Sequence, residues 1–137
     1  MGWIVALLLS VSVAWADCSV PGEINPLVRQ ANVARTICKP GWTETVRPPT
    51  SYTDGMKVQL MAKLHLSGKL SDYELDHCIP LELGGHPTSP RNLWMQPWKG
   101  KCGAHAKDKL ENSLHRQVCA NPRMLNQARV AVRHWCK

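Results

Sequence analysis

Positive charge is missing from the start of the chain, where no Lys or Arg occurs before Arg29. The uncharged run 4–13 is too short to form a stable membrane-spanning helix. It ends in Ala14-Trp15-Ala16, a small-x-small pattern typical of signal-peptide cleavage. We therefore predict that residues 1–16 are a signal peptide and that the protein is secreted or periplasmic, without stable membrane insertion after cleavage. The missing basic residues leave an uncleaved anchor as the alternative.

The cysteines lack any Cys-x-x-Cys spacing, which gives little support to a structural zinc knot or a thioredoxin-like redox site. All six follow the predicted cleavage site, and an even number in an exported chain predicts three disulfides. About fifteen pairings exist for six cysteines, and the sequence does not choose among them. The predicted disulfide cysteines are Cys18, Cys38, Cys78, Cys102, Cys119 and Cys136.

The chain also lacks internal repeats and low-complexity tracts, and its 137 residues predict one domain, 17–137. Its 17 Lys and Arg outnumber 10 Asp and Glu, which gives a formal net charge of +7. This excess favours a polyanionic partner such as nucleic acid or an anionic surface. A cationic protein that is merely soluble explains the charge equally well.

Apolar spacing and turn residues predict helices at both ends of a strand-containing middle region. A loop-rich segment with five prolines spans 17–52 and would be held by Cys18 and Cys38. A helix is predicted from just after Asp54 to Gly68, with a core-facing stripe of Met56, Leu60, Met61 and Leu64. Asn121-Pro122 is typical of a helix start, and the last helix would bury Leu125, Ala128, Val132 and Trp135.

The middle region predicts strand, long loop, strand, loop and helix in that order. The first strand lies within 73–81, the turn residues within 83–90 and the returning strand at 92–96. After a loop at 99–103, apolar residues recur every fourth position up to about Cys119 and predict a helix; they are Ala106, Leu110, Leu114 and Val118.

Asp76, His77 and Asn92 carry the side chains that phosphodiester hydrolysis needs. Such a reaction requires a base to activate water and a cation to neutralise charge at the phosphate. His77 is a candidate base, and Asp76 offers oxygen ligands to a hard cation. Asn92 could ligate the same cation or brace the loop that orients the histidine. An isolated Asp-His pair would predict almost nothing, so the surrounding residues decide.

The stretch 73–85, the sequence Pro90-Arg91-Asn92-Leu93-Trp94 and a helix beginning near Ala104 together resemble the HNH, or His-Me finger, endonucleases. The resemblance covers 73–119 and implies an α+β fold, with a ββα-metal hairpin and helix flanked by further helices and stapled by disulfides. It implies that His77 is the general base and that Asp76 ligates a divalent metal. It gives Asn92 either metal ligation or loop bracing.

The family's third metal-binding position falls on the last helix of the motif, where His105 and Asp108 are the candidates. His105 is preferred slightly for its distance from Asn92. Asp108 could instead pair with neighbouring lysines on a solvated helix face, as Glu111 could. The metal implied is a divalent ion, with Mg²⁺ first and Mn²⁺, Ni²⁺ or Zn²⁺ as alternatives.

Basic and aromatic residues near the motif are candidates for substrate contacts. Arg47 could point into the same groove, and a tryptophan at 94 or 98 could stack on bases, although Trp94 is more typical of a core residue. Three loop cations could clamp phosphates or be merely solvated; they are Arg91, Lys99 and Lys101.

The combined sequence features predict a metal-dependent endonuclease with little sequence specificity, because phosphate contacts carry no sequence information. DNA is the first expected substrate and RNA the alternative. A nucleic-acid-binding module that does not cut is one rival function. The other is a disulfide-rich cationic protein that acts on anionic surfaces.

Overall fold

The computed structural model describes residues 17–136, so the predicted signal peptide lies outside the described residues. Within them, a two-stranded sheet combines with helices in an α+β arrangement. The strands are β1 (Tyr73–His77) and β2 (Leu93–Pro97), and the helices are α1 (Trp42–Val46), α2 (Thr50–Lys63), α3 (Ala104–Ala120) and α4 (Leu125–Arg133). Short 3-10 helices occupy Gln30–Arg35, Leu70–Asp72, Leu81–Leu83 and Pro122–Met124. None of the helices in this part of the chain has the length and apolarity needed to cross a membrane.

Strands β1 and β2 pair antiparallel, with Asp76 opposite Trp94 and His77 opposite Leu93. The predicted strand at 73–81 is shorter in the structure and ends at His77. Pro80 lies soon after this end and cannot donate to a strand ladder, so a turn replaces further pairing. His77 therefore stands where the sheet gives way to the loop that joins the strands.

Two glycines allow that loop to fold back on itself. Gly84 has a φ of 76°, in the left-handed region that favours glycine. A Cβ added at Gly85 would lie 1.7 Å from the carbonyl oxygen of Ile79. The Gly-Gly pair is therefore required by backbone conformation at one position and by close backbone approach at the next.

The hydrophobic core lies between α3, α4 and the N-terminal segment. Arg129 adds a polar tie, because its buried guanidinium donates to the carbonyl oxygens of Leu83 at 2.8 Å and Val28 at 3.2 Å. The last helix follows the Asn121-Pro122 start as predicted, and the Asn121 side chain accepts from the Arg123 backbone N–H. The core residues include Val28, Val33, Ile37, Ile79, Leu83, Leu114, Val118, Leu125, Ala128 and Val132.

Helix α2 differs from the sequence prediction in two ways. It begins at Thr50, ahead of the predicted start after Asp54, and none of its residues is buried. Leu64, predicted to face the core, is 47% exposed. The helix contacts β1 and β2 outside the main core. Because the sheet is the surface it packs against, the apolar residues of the helix are only partly covered.

The six cysteines form three disulfides, which confirms the expected number and supplies the pairing: Cys18–Cys78, Cys38–Cys119 and Cys102–Cys136. Their sequence separations of 60, 81 and 34 residues correspond to roughly 4 kcal/mol each in the chain-entropy description. Cys18 and Cys38 tie the irregular N-terminal segment to the motif region, through partners that the sequence had left open. Three disulfides are compatible with a secreted or periplasmic protein.

Candidate functional site

A cavity of about 350 Å³ lies beside the end of β1, the turn at Leu81–Leu83 and the exposed side of α3. His77 and Arg47 contribute to its wall. Five carboxylates also line it, which is unusual density for a chain with a net positive charge; they are Glu74, Asp76, Glu82, Asp108 and Glu111.

His77 is a buried histidine with a defined neutral tautomer. Its Nε2 lies 2.8 Å from the carbonyl oxygen of Pro87, which can only accept, so Nε2 carries the proton. Burial lowers the pKa of His77 below its ordinary value, against the smaller opposing effects of the Pro87 hydrogen bond and Asp76. The neutral ring therefore keeps Nδ1 as its basic nitrogen, which is the state that a general base requires.

Lys107 is a fully buried cation at the back of this cavity. Its Nζ donates to Asp76 Oδ2 at 2.6 Å and to the carbonyl oxygen of His77 at 2.7 Å, and it also pairs with Glu111 Oε1. Burial alone lowers the pKa of a lysine, but Asp76 and Glu111 together raise that of Lys107 above its ordinary value. The ammonium is thus held in its charged form by its carboxylate partners, and it ties β1 to α3.

The three glutamates of the cavity, Glu74, Glu82 and Glu111, have pKa values raised above the ordinary value of a glutamate. Burial, followed by Asp76 and Asp108, raises the pKa of Glu74 to about 7. Burial also raises the pKa of Glu111 to about 7, against the opposing charge of Lys107, and burial raises that of Glu82. A bound cation would lower these pKa values, because a positive charge favours the ionised form.

The sequence left two roles open for Asn92, metal ligation and loop bracing, and its hydrogen bonds match loop bracing. This residue is fully buried, and its Oδ1 accepts from the Ile79 N–H at 2.9 Å. Its Nδ2 donates to the carbonyl oxygens of Ile79 at 3.0 Å and His86 at 2.9 Å. Because the amide is fully engaged and Asn92 does not line the cavity, its geometry does not match that of a metal ligand.

The two candidates for the third metal-binding position lie in different places in the structure. Asp108 lines the cavity together with Asp76 and His77. His105 is exposed and lies against Trp98, with ring centroids 5.4 Å apart, so the structure does not bring it to the cavity. Of the two candidates, Asp108 is therefore the one that the structure brings beside Asp76 and His77.

The loop cations predicted to bind substrate stand away from the cavity. Arg91, Lys99 and Lys101 are all exposed, and none of them lines its wall. The Arg91 Nε instead lies 3.7 Å from Glu23 Oε2. Arg47 is the arginine that the structure brings beside His77, as the sequence had raised for this residue.

Lys107 and Glu111 are the residues that the sequence interpretation missed. The predicted buried stripe on α3 began at Ala106, yet Ala106 is exposed, and the buried positions are Ala104, Lys107, Glu111, Leu114 and Val118. These five follow alternating steps of three and four residues, as a buried helix face does. An i,i+4 Lys-Glu pair within that spacing was the available signal, hidden by the expectation that charges face solvent.

The cavity carries carboxylate oxygens, which are the donors that hard divalent cations prefer. Among the described residues, Glu74 Oε2 is buried without a hydrogen-bond partner, and the buried amide of Gln96 directly opposite it is also unpartnered. Oxygen donors of this kind suit Mg²⁺ or Mn²⁺ better than Zn²⁺ or Ni²⁺, which favour imidazole and thiolate.

A second group brings together Cys38, His115 and Cys119, whose ligand atoms lie within 4.8 Å of one another. It adjoins the cavity, because His115 Nδ1 lies 3.7 Å from Oε2 of the lining residue Glu82. This group could hold a metal ion. Its two sulfur atoms are joined in a disulfide. Thiolate ligation at this group therefore requires the reduced protein, and among the described residues the carboxylate and imidazole ligand atoms of the cavity do not converge to the same extent.

Comparison with known proteins returned no match. No family model matches the chain, and no significant match was found among the curated proteins or among the solved structures. The functional interpretation consequently depends on the site itself.

Proposed function

We propose that the protein is a metal-dependent endonuclease of the HNH type that hydrolyses phosphodiester bonds with little sequence specificity. The observation that carries the proposal is His77, a ring in the wall of a carboxylate-lined cavity with its Nε2 proton held by Pro87. The order β1, loop, β2 and α3 is also the order that the resemblance to the HNH endonucleases implies. DNA is the first substrate to test, and RNA is the second.

In this proposal His77 Nδ1 removes a proton from a water molecule. The resulting hydroxide attacks the phosphorus, the bond to one ester oxygen breaks, and that oxygen takes up a proton from solvent. Pro87 holds the opposite side of the ring, so the tautomer and the ring plane are fixed before substrate arrives. Arg47, exposed at the same cavity, is placed to contact a phosphate oxygen.

A bound divalent cation would supply charge neutralisation at the phosphate. Asp108, Glu74 and Asp76 are the residues that would hold it. Asp76 contributes only in part, because its Oδ2 is hydrogen-bonded to Lys107 and Oδ1 remains for a cation. This set shares Asp76 and Asp108 with the predicted candidates and adds Glu74, whereas the other two predicted candidates, Asn92 and His105, do not line the cavity.

Lys107 also favours a second candidate function. In that function the protein is a nucleic-acid-binding module of this fold that does not cut. The ammonium of Lys107 already neutralises Asp76 and Glu111 at close range. If this cation leaves no effective place for a divalent ion, the basic protein would bind polyanions without hydrolysing them.

A plasmid-degradation assay separates the two functions. Cleavage is expected in Mg²⁺ or Mn²⁺ and should disappear in EDTA. His77→Ala should lower the cleavage rate by about 10²–10⁴-fold, the usual contribution of a general base. His65→Asn is the matched control, since His65 is exposed, lies away from the cavity and has a positive φ that asparagine tolerates.

Two outcomes would contradict the proposal. Binding of DNA and RNA without cleavage in Mg²⁺, Mn²⁺, Ni²⁺ and Zn²⁺ would identify the non-catalytic module. Lysis of anionic lipid vesicles by the His77→Ala protein, combined with no cleavage by the parent, would instead favour a cationic protein that acts on surfaces.

A further inference from the structure

A second cavity of about 270 Å³ adjoins the first on the side of α2. Arg47, Glu74, Asp76 and His77 line both cavities, so the two form one groove that passes over His77. The lining of the second cavity also includes Trp98, which lies just beyond the end of β2. The reaction proposed above does not use this cavity.

We propose that this second cavity binds one nucleotide of a single-stranded nucleic acid, next to the phosphate held at His77. The base would lie against Trp98, and the backbone phosphate would contact Arg47 and Lys57. The proposal rests on the proposed nuclease function for its substrate class, but the binding it describes does not require cleavage.

Trp98 is built as a fixed and partly exposed aromatic surface. Its backbone N–H donates to the carbonyl oxygen of Asp72 at 3.1 Å, which anchors the residue just past β2. Its ring lies 5.4 Å from the ring of His105, with an interplanar angle of 35°. A ring supported on one side and open to a cavity on the other is the arrangement on which bases stack.

Arg47 and Lys57 supply positive charge on the same wall. Neither of them takes part in an ion pair with another described residue. Asp54 also lines the cavity, and Glu74 and Asp76 lie at its junction with the first cavity. A phosphate would therefore be drawn to the Arg47 and Lys57 side, away from the carboxylates that suit a divalent cation.

The cavity selects an unpaired base. In a duplex both faces of each base are stacked on neighbours, so only a single strand or an extruded nucleotide presents a face to Trp98. The groove thus predicts preference for single strands over duplexes and no strong preference among the four bases, because every base has a face on which to stack.

Binding of a short fluorescent oligothymidylate to the full chain tests the proposal, with His77→Ala as the background so that the probe is not cut. Trp98→Leu should weaken binding by about 5- to 150-fold, the range for loss of one stacked base. Arg47→Gln and Lys57→Gln should each reduce the salt slope of log K by about 0.7. Lys63→Gln, an exposed lysine on the same helix, should leave the slope unchanged.

An abasic oligonucleotide of equal length is the second probe. This abasic probe should bind the His77→Ala protein, here called the Trp98 protein because it keeps that residue, more weakly than oligothymidylate does. The affinity for the abasic probe should be the same whether residue 98 is tryptophan or leucine. Equal affinity of the Trp98 protein for both probes would overturn the proposal even if Trp98→Leu failed to fold. Binding of a duplex as tightly as the single strand would overturn it too.

These results are separable from the fate of the nuclease proposal. Suppose that the parent cleaves nucleic acid, that Trp98→Leu with His77 intact cleaves equally well, and that Trp98→Leu in the His77→Ala background binds equally well. The nucleotide site is then wrong and the nuclease stands. If no cleavage occurs but base-dependent binding requires Trp98, the nuclease is wrong and the nucleotide site stands.

Discussion

Replacing Lys107 by methionine removes the buried charge while keeping an unbranched side chain of similar length. Lys107 is 0% exposed, and its ammonium has two carboxylate partners and one carbonyl partner. Removing one member of a buried ion pair costs about 3–5 kcal/mol, because the remaining charge is left uncompensated. For the roughly 120 described residues, this corresponds to a melting temperature about 12–20 °C lower at neutral pH.

The size of that loss should depend on pH. In the variant Glu111 would take up a proton more readily, since no cation opposes its burial. A buried acid with a raised folded-state pKa destabilises the protein progressively as pH rises above its unfolded-state value. The difference in melting temperature between the parent and Lys107→Met should therefore be small near pH 4.5 and largest at pH 8.

A divalent cation should partly reverse the effect. Oxygen atoms of Asp76, Glu111 and the His77 carbonyl would still converge on the position of the lost ammonium, and such a set suits Ca²⁺ or Mg²⁺. Millimolar Ca²⁺ should raise the melting temperature of Lys107→Met more than that of the parent. Thermal melts by circular dichroism at pH 4.5, 6 and 8, with and without Ca²⁺, measure both effects.

Lys109→Met is the matched control, because Lys109 is exposed on the same helix and should change the melting temperature little at any pH. If Lys107→Met melted within about 2 °C of the parent at pH 8, the ion-pair reasoning would be refuted. A large loss that did not vary with pH would show that packing, and not charge, is what Lys107 contributes.

Two further predictions concern the acidic cavity and the loop. Glu74→Gln should raise the melting temperature at pH 8 and leave it unchanged at pH 4, because the folded pKa of about 7 penalises ionisation as pH rises from 4.5. Exposed Glu44→Gln is its control, and a lower melting temperature for Glu74→Gln at pH 8 would contradict the assignment. Gly85→Ala should cost several kcal/mol in urea unfolding, since its Cβ would collide with the Ile79 carbonyl. Gly55→Ala, with open space around its Cβ in a helix, should gain about 0.5–1 kcal/mol, and equal effects at both glycines would refute the steric explanation.

Local signals were sufficient for much of the fold. Asn121-Pro122 predicted the start of the last helix because capping and a fixed proline φ are properties of neighbouring residues. Gly84-Gly85 predicted the turn between the strands for a comparable reason, since a left-handed φ needs glycine at the position itself. The even cysteine count predicted three disulfides, yet pairing depends on which segments meet in space.

The burial of Lys107 could not be read from its neighbours in sequence. Its position at the β1 side of α3 depends on how the helix is rotated against the sheet, which is a tertiary property. The predicted stripe shows the difficulty: Leu114 and Val118 are buried as predicted, but Ala106 is exposed and its neighbour Lys107 is buried, because a shift of one residue turns a helix by about 100°. The predicted core-facing stripe of helix α2 was wrong for a related reason: among the described residues, the helix packs outside the main core and none of its side chains is buried.

The bracing role of Asn92 connects the loop to the candidate base. Asn92 Nδ2 holds the carbonyl of His86, and the next residue, Pro87, presents the carbonyl that accepts from His77 Nε2. The asparagine thereby fixes the tautomer of His77 through the loop without entering the cavity. A motif residue that positions the base in this way contributes to the site without contacting a cation. Under the nuclease proposal the oxygen ligands would then come from Glu74, Asp76 and Asp108.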